Sequence, residues 1–312
     1  MAVHPLIRAF LTLNTEPKGP DPQPVAERRA ADARGLTMRT VMRRTRRPLK
    51  VTEHRIPVTD GEITVRVSTP LGPGPHPAHV YFHGGAFWLG SMDEYDPLCR
   101  WYAAEAGCAV VNVDYRLAPE HPYPTPPEDC YAAFRWTVTK ATDLGVDPAR
   151  ISVGGTSAGG SLAAAVTLMA RDRGGPAPTF QLLEIPTLDA TLSSPSIAEF
   201  ATGHLLTRDF MREAADFYVP DESRRREPYA SPLLVEDLTG LPPARIAVAE
   251  CDPLRDEGES YGARLRQAGV PVEVRRYAGH VHGSLYVTRA LPSARRFLAD
   301  NVAALREAHK TE

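Results

Sequence analysis

Hydrophobic and polar residues alternate in one early region of the chain, and fully apolar runs follow it. Apolar and polar residues alternate in 51–58 and 62–70, which is typical of strands with one solvated face. Asp60-Gly61 between the two stretches is a hairpin signal. Six short runs with the length of strands come next, and the apolar ones among them have the composition of strands buried on both faces. These runs are 78–83, 108–115, 151–155, 180–186, 244–250 and 272–277.

Segments of helical length separate or follow these apolar runs. They are 92–106, 127–145, 161–173 and 292–308. Alternation of strands and helices predicts an α/β protein, with a mostly parallel sheet and helices on both faces. Two stretches depart from the alternation, the first fifty residues and 190–227, and the second is interpreted as an insertion. Their residues at helical spacing are Leu6, Ile7, Phe10, Leu11 and Leu13, and then Phe210, Met211, Ala214, Phe217 and Tyr218.

Charge and composition exclude several classes of function. The 36 basic and 38 acidic residues nearly cancel, so no overall basic charge is available to hold a nucleic acid. The arginine-rich stretch 27–48 is therefore interpreted as a solvated helix or loop that covers part of the core. No apolar run approaches the roughly 20 residues of a membrane span. Arg8 interrupts the apolar N-terminus, which is therefore unlike a signal peptide.

Cysteine usage points to a reducing compartment. The four cysteines lack the spacing of a zinc cluster or a disulfide framework. We therefore expect a cytoplasmic protein without a metal and without a cofactor.

The strongest chemical signal is the segment Gly155-Thr156-Ser157-Ala158-Gly159-Gly160, which fits the pattern G-x-S-x-G. It lies between an apolar run and a helical segment, the context that a nucleophile elbow requires. Such a turn exposes the hydroxyl of Ser157. It also places the backbone N–H of Ala158 at a helix N-terminus, where donors are free and the helix dipole favours negative charge.

A second glycine-rich loop, His83-Gly84-Gly85-Ala86, follows an earlier apolar run. Glycine lets the backbone approach a ligand closely, and this segment matches an oxyanion loop except that Ala86 replaces a third glycine. We expect the amides of Gly84 and Gly85 to be oxyanion donors. His83 is interpreted as a residue that holds the loop through hydrogen bonds.

A serine nucleophile needs a histidine base and a carboxylate that orients it, in the chain order Ser, acid, His. Asp252 is the first acid after the run 244–250, and it is preferred over the earlier Asp189. Asp256 and Glu257 are expected to cap the next helix. Both His280 and His282 follow the run 272–277; His282, which a glycine follows, is preferred and His280 stays a rival.

Several segments together resemble the hormone-sensitive-lipase-like branch of the α/β-hydrolases, which are mostly microbial carboxylesterases. They are HGGAFWLG (83–90), DYRLAPEHPYP (114–124), GTSAGG (155–160), DPLRDEG (252–258) and HVHG (280–283). GTSAG is similar to the motif of one of two subgroups. By position, the resemblance implies Ser157 as nucleophile, Asp252 as acid, His282 as base, and Gly84, Gly85 and Ala158 as oxyanion donors.

The resemblance also implies the organisation of the chain. It predicts an eight-stranded sheet in a core of 49–189 and 227–312, and a cap formed by 1–48 and 190–226. Ser284 departs from the family, which usually has phenylalanine there, and this changes the expected pocket wall. Related proteins often form dimers through the edge strand and the last helix, so a homodimer is also implied.

These features predict a serine carboxylesterase that hydrolyses short- to medium-chain acyl esters through an acyl-enzyme. Predicted substrate-binding residues are Phe87, Trp88, Leu205, Leu206, Phe210 and Ser284, with Phe10 and Phe217 as further candidates. The same site is compatible with a lactone, carbamate or amide, or with acyl transfer. A non-catalytic small-molecule receptor is the alternative from another class, and it is disfavoured by the complete set of serine, acid and histidine.

Two groups of charged residues receive structural interpretations. Asp114, Arg116 and Glu120 follow an apolar run and are expected to form an ion-paired brace. Asp129 is interpreted as a helix-start residue.

Overall fold

The computed structural model describes residues 3–13, 23–34 and 37–310, except the side chain of Phe10. Eight strands form one sheet within these residues. The strands are β1 (Leu49–Val58), β2 (Gly61–Pro70), β3 (His76–Phe82), β4 (Ala109–Asp114), β5 (Val146–Thr156), β6 (Gln181–Glu184), β7 (Ala244–Ala249) and β8 (Val272–Tyr277).

Helices connect most of the parallel strands and form both outer layers. The helices are α1 (Pro5–Leu13), α2 (Val25–Arg34), α3 (Met38–Val41), α4 (Met92–Ala106), α5 (Thr125–Thr139), α6 (Ala141–Leu144), α7 (Ala158–Asp172), α8 (Pro195–Glu199), α9 (Arg208–Tyr218), α10 (Arg255–Gln267) and α11 (Pro292–Ala308). The final helix has the bounds that the apolar periodicity predicts. No helix among the described residues is both long and apolar enough to cross a membrane.

The sheet has the order β1-β2-β4-β3-β5-β6-β7-β8. β1, β2 and β4 pair antiparallel, and all pairs from β4 through β3 to β8 are parallel. This arrangement confirms the predicted fold class. Because the parallel strands point the same way, the loops after β3, β5, β7 and β8 gather at one edge of the sheet. The oxyanion loop, the elbow and the predicted acid and base all lie in those loops.

The core strands are buried because both faces of the sheet are covered. One apolar layer includes Val80, Val111 and Val153 under α5, α7 and α10. The opposite layer includes Tyr102 of α4 and Phe297 of α11. Apolar side chains of the sheet and of the helices therefore form both layers.

The helices outside the alternating pattern pack over the carboxyl edge of the sheet. α1 brings Ile7 against Phe200 and Val281 in a small apolar cluster. α2 is held by charge: the Arg28 guanidinium contacts the Glu213 carboxylate of α9 through two hydrogen bonds of 2.7 and 2.6 Å. The arginine-rich stretch agrees with its interpretation as a solvated segment over part of the core, and α2 adds specific contacts through Arg28 and Arg29.

The charged segment after β4 does not form a single brace. Arg116 pairs with Asp129, which is buried inside α5, through hydrogen bonds of 2.7 and 2.9 Å. Glu120 pairs with Arg29 of α2, and Asp114 accepts from the backbone N–H of Met92. The expectation that Asp129 starts a helix is wrong, because its carboxylate neutralises a cation across the fold.

Candidate active site

The turn between β5 and α7 is built for a projecting side chain. Ser157 has φ 56° and ψ −117°, a conformation that L residues rarely adopt. It is held there by a 2.8 Å hydrogen bond from its N–H to the carbonyl of Glu184. A Cβ at position 159 would lie 2.0 Å from the carbonyl oxygen of Phe82, so only glycine fits where the helix passes β3.

Three predicted residues from three loops meet in one hydrogen-bonded chain. His282 Nε2 lies 3.1 Å from Ser157 Oγ, and His282 Nδ1 lies 2.8 Å from Asp252 Oδ2. The other carboxylate oxygen of Asp252 accepts the N–H of Leu254 at 2.9 Å. Asp252 is 1% exposed, so its carboxylate is fixed in a protected position. In this arrangement the serine hydroxyl donates to Nε2 and Nδ1–H donates to the carboxylate.

His280 lies in the same loop but points away from Ser157. Its ring is buried, with Nδ1 at 2.8 Å from Ser284 Oγ and Nε2 at 2.8 Å from Ser293 Oγ. Burial lowers the pKa of His280 to about 4. The hydroxyl of Ser284 also donates to the carbonyl of Val281 at 2.8 Å. Ser284 therefore uses its polar atom to hold the histidine loop.

The loop after β3 faces the same space as Ser157. At Gly85 φ is 124°, and a Cβ would lie 2.1 Å from the carbonyl oxygen of Leu89, so this turn requires glycine. His83 is buried, its Nδ1 lies 2.8 Å from the Gly84 carbonyl oxygen, and its ring stacks on Tyr115 at 4.3 Å. Burial lowers the pKa of His83. The structure thus agrees with its interpretation as a loop-holding residue.

Ala158 begins α7 directly after Ser157, as the sequence predicts, and it is buried. Its N–H lies in the first turn of the helix, where amides have no acceptor within the helix. Gly84 and Gly85 line the cavity into which Ser157 opens. The three predicted oxyanion residues are therefore grouped around the nucleophile position.

A buried carboxylate behind the elbow was missed by sequence reasoning. Glu184, at the end of β6, is completely buried and accepts hydrogen bonds from donors on five different segments of the chain. These donors are Thr156 Oγ1 (2.7 Å), Tyr286 Oη (2.7 Å), Asn301 Nδ2 (3.0 Å), Tyr81 Oη (3.4 Å) and Tyr102 Oη. Burial raises the pKa of Glu184. The signal in the sequence was a single acid within the apolar run 180–186.

The other acids near the site also have defined partners. Glu257, which is fully buried, accepts the N–H groups of Leu188 and Asp189 at 2.5 and 3.0 Å, and burial raises its pKa. Asp256 accepts the N–H of Ser196 at 2.9 Å. Neither side chain caps α10, so that expectation is wrong. Asp189 binds the hydroxyls of the following turn rather than a histidine.

Ser157 opens into two cavities of very different size. The larger has a volume of about 630 Å³, and the smaller, about 40 Å³, lies beside Phe87. Of the predicted substrate-binding residues, Leu205, Leu206, Phe210 and Ser284 line the larger cavity. Leu206 lines the smaller one as well. The stacked rings of Phe87 and Tyr218, with centroids 3.7 Å apart, form a wall of the smaller cavity.

Trp88 is not brought to either cavity in the described part of the chain. Its ring is 1% exposed and packs against Phe210 and Phe217, with the Arg28 guanidinium 4.3 Å from the ring centroid. The prediction that Trp88 binds substrate is corrected: it joins α2 and α9 to the core. Phe217 belongs to the same packing, and the side chain of Phe10 lies outside the described residues.

No metal site accompanies this geometry in residues 3–13, 23–34 and 37–310. No group of three or more histidine, cysteine or acidic side chains is arranged there to hold an ion. All four cysteines are free and buried.

Comparison with known proteins gives the fold and the site a family context. Residues 79–286 match the family model described as the alpha/beta hydrolase fold. The carboxylic ester hydrolase LipN of Mycobacterium tuberculosis is 46% identical over 75% of this chain and 64% of its own length. The carboxylesterase NlhH of the same species is 45% identical over 74% of each protein.

The solved structure of a bacterial heroin esterase has a TM-score of 0.90 and 37% identity, and 99% of each chain is covered. Assignment to the GTSAG subgroup stays a prediction. The predicted fold, family and class of enzyme are confirmed by these similarities. The chain belongs to the α/β-hydrolase family, in its hormone-sensitive-lipase-like branch, and it is a carboxylic ester hydrolase.

Proposed function

We propose that Ser157, His282 and Asp252 are the catalytic residues of this esterase. His282 accepts the proton of the Ser157 hydroxyl as the oxygen attacks the ester carbonyl. Asp252 orients the imidazole and stabilises its charged form. The protonated His282 then gives its proton to the leaving alcohol, and a water molecule repeats the sequence on the acyl-enzyme.

The observation that carries this proposal is the position of His282 between the other two residues. Its two ring nitrogens lie 3.1 Å from Ser157 Oγ and 2.8 Å from Asp252 Oδ2. Both distances are those of a nucleophile–base and a base–orienter hydrogen bond.

The proposed oxyanion donors are the amides of Gly84, Gly85 and Ala158. The tetrahedral intermediate places negative charge on the former carbonyl oxygen, and preorganised N–H groups stabilise that charge most where water is excluded. This assignment is supported by the tight turn at Gly85 and by the helix N-terminus at Ala158.

The proposed substrates are small-molecule esters with short to medium acyl chains. A cavity of about 630 Å³ suits small ligands. We propose that 1–48 and 190–226 form a cap over a core of 49–189 and 227–312. This division is supported by Leu6 and Ile7 of α1 and by Leu205, Leu206 and Phe210, which line the cavity from above the sheet edge.

We further propose a homodimer in the cytoplasm that does not bind nucleic acid. The dimer is supported by the free edge of β8, which is the last strand of the sheet. The reducing compartment is supported by the four unpaired thiols, and the absence of nucleic-acid binding by the near balance of 36 basic and 38 acidic residues.

Covalent labelling tests the proposed nucleophile. A p-nitrophenyl alkylphosphonate transfers its phosphonyl group to an activated serine, so the intact protein should gain one such group in mass, on Ser157. Ser157→Ala should not react, and it should lose about 10⁴-fold in kcat on p-nitrophenyl butyrate, the scale of a triad residue. Labelling of the alanine variant, or retained hydrolysis with an unchanged circular dichroism spectrum, would contradict the assignment.

A further inference from the structure

The larger cavity combines an apolar lining with an unbalanced charge. Among the described residues that line it, only His282, Asp32 and Glu94 have side chains that can carry a charge near neutral pH. No lysine or arginine of the described residues lines it. As far as the described residues form it, the cavity that holds the proposed nucleophile therefore has an acidic side and no basic side.

The Glu94 carboxylate makes no hydrogen bond to its own helix, α4. Ser91 and Glu94 occupy the two positions of a capping box at the start of α4, where the glutamate normally binds the backbone N–H of the serine. Only one half of this motif forms: Ser91 Oγ accepts the N–H of Glu94 at 3.2 Å. The Glu94 carboxylate has no hydrogen-bond or ion-pair partner among the described residues and lines the cavity instead.

The preceding residue shows that this lack of a partner is specific. The Asp93 carboxylate, on the outer side of α4, lies 2.8 Å from the Arg66 guanidinium. The half-buried Glu94 has no such cation; burial and the nearby Asp32 carboxylate raise its pKa to about 7. A carboxylate in apolar surroundings is costly unless a cation or donor reaches it.

Asp32 is brought to the same cavity by anchored neighbours on α2. Arg29, one helical turn earlier, binds the carbonyl oxygens of Trp88 and Ala118 at 2.8 and 2.6 Å. Arg28 is bound to Glu213 of α9. Because residues three or four apart share one side of a helix, these contacts direct Asp32 towards the mouth of the cavity, where it is exposed to solvent.

Aromatic rings line the same cavity as the two carboxylates. Tyr95 follows Glu94 and also lines the cavity, as do Tyr286 and Phe210. Faces of aromatic rings attract organic cations, and a quaternary ammonium group keeps its charge at every pH. Carboxylates together with rings therefore fit a cationic nitrogen that carries apolar substituents.

We propose that Glu94 and Asp32 make this esterase selective for esters that carry a cationic nitrogen near the reacting carbonyl. The inference rests on the proposed function, because the cation is seated while Ser157 attacks the ester. Glu94 is the inner contact and Asp32 the outer one. Both act on binding and on specificity, and neither takes part in bond making.

A matched pair of esters tests this selectivity. Acetylcholine and 3,3-dimethylbutyl acetate have nearly the same shape and differ by one positive charge. We expect kcat/KM for acetylcholine to be about tenfold higher at pH 8 and low salt, as for a partly exposed ion pair. The preference should shrink in about 0.5 M NaCl, which screens such a pair.

Three variants assign the effect to residues. Glu94→Gln and Asp32→Asn should lower the acetylcholine preference, the first to about twofold. Glu27→Gln is the matched control, since Glu27 is on α2 but does not line the cavity, and it should keep the full preference. If Glu94→Gln fails to fold, Asp32→Asn and the salt series on the unaltered protein still show whether the carboxylates cause the acetylcholine preference.

The outcomes separate this inference from the proposed function. Equal kcat/KM for the two esters, or a preference that survives both Glu94→Gln and Asp32→Asn, would overturn the selectivity and leave the esterase assignment intact. If the protein hydrolyses none of the three esters, acetylcholine, 3,3-dimethylbutyl acetate and p-nitrophenyl acetate, the proposed function and the inference are both overturned.

Discussion

Two walls of the larger cavity are held in place by different forces. The core wall comes from the loops at the carboxyl edge of the sheet and includes Ser157 and His282, which short hydrogen bonds fix to Glu184 and Asp252. The opposite wall, called the cap wall because it belongs to the proposed cap, comes from α1, α9 and the segment before α9, and its apolar side chains are held by packing. Directional bonds set the angles that proton transfer needs, whereas packing sets only shape and volume.

The largest predicted effect is a loss of kcat on substitution in the loop after β8, which is part of the core wall. His282→Ala should lower kcat on p-nitrophenyl butyrate by about 10⁴-fold, since it removes the proposed base. His280→Ala should cost far less activity, because His280 binds Ser284 and Ser293 instead of Ser157. Circular dichroism should show that both variants fold. Equal losses, or a larger loss at His280, would contradict the assignment of the base.

Much of the core wall was predictable because its chemistry demands unusual residues. Only glycine fits at 85 and 159, so the oxyanion loop and the elbow are visible as motifs. Strands buried on both faces leave apolar runs, so the positions of the loops that follow are visible too. The choice of His282 over His280 depended on the glycine that follows His282 and was supported by the resemblance to a family, since both histidines follow the same strand.

A second prediction compares two carboxylates. Glu184 lies behind the core wall, and Glu213 of α9 binds Arg28 of α2. Glu184→Ala leaves the hydroxyls of Thr156, Tyr286 and other donors without their acceptor, so it should lower the free energy of unfolding by about 3 kcal/mol. Because burial raises the pKa of Glu184, Glu184→Gln resembles the protonated acid and should cost less. Glu213→Ala should instead release Arg28 and with it α2.

Chemical denaturation and amide hydrogen exchange distinguish these outcomes. Glu184→Ala should lower the denaturation midpoint of the whole protein, and Glu213→Ala should accelerate exchange mainly in α2 and α9. Equal exchange patterns in the two variants would show that core and cap unfold as one unit and would remove the distinction between the walls.

The residues that sequence reasoning misplaced depend on contacts between distant segments. Trp88 and Phe87 are adjacent in a loop that was expected to face substrate, yet only Phe87 reaches a cavity, because α2 and α9 cover Trp88. Glu257 has the sequence position of a helix cap, but its carboxylate accepts the N–H of Leu188 in the turn after β6. Glu184 needs donors from five separate segments, and local periodicity contains no information about such a set.

The smallest predicted effect tests the cap wall through acyl chain length. On p-nitrophenyl acetate, butyrate, octanoate and palmitate, below their micelle thresholds, kcat/KM should peak between two and about eight carbons. Each buried CH₂ contributes about 0.8 kcal/mol, or roughly fourfold in kcat/KM, until the cavity is full.

Phe210→Ala should move the optimum to longer chains, because Phe210 lines the cavity. Phe217→Ala is the matched control, since its ring packs on Trp88, and should leave the optimum in place. A maximum at palmitate in the unaltered protein would mean that the cap wall leaves an open channel, as in a lipase.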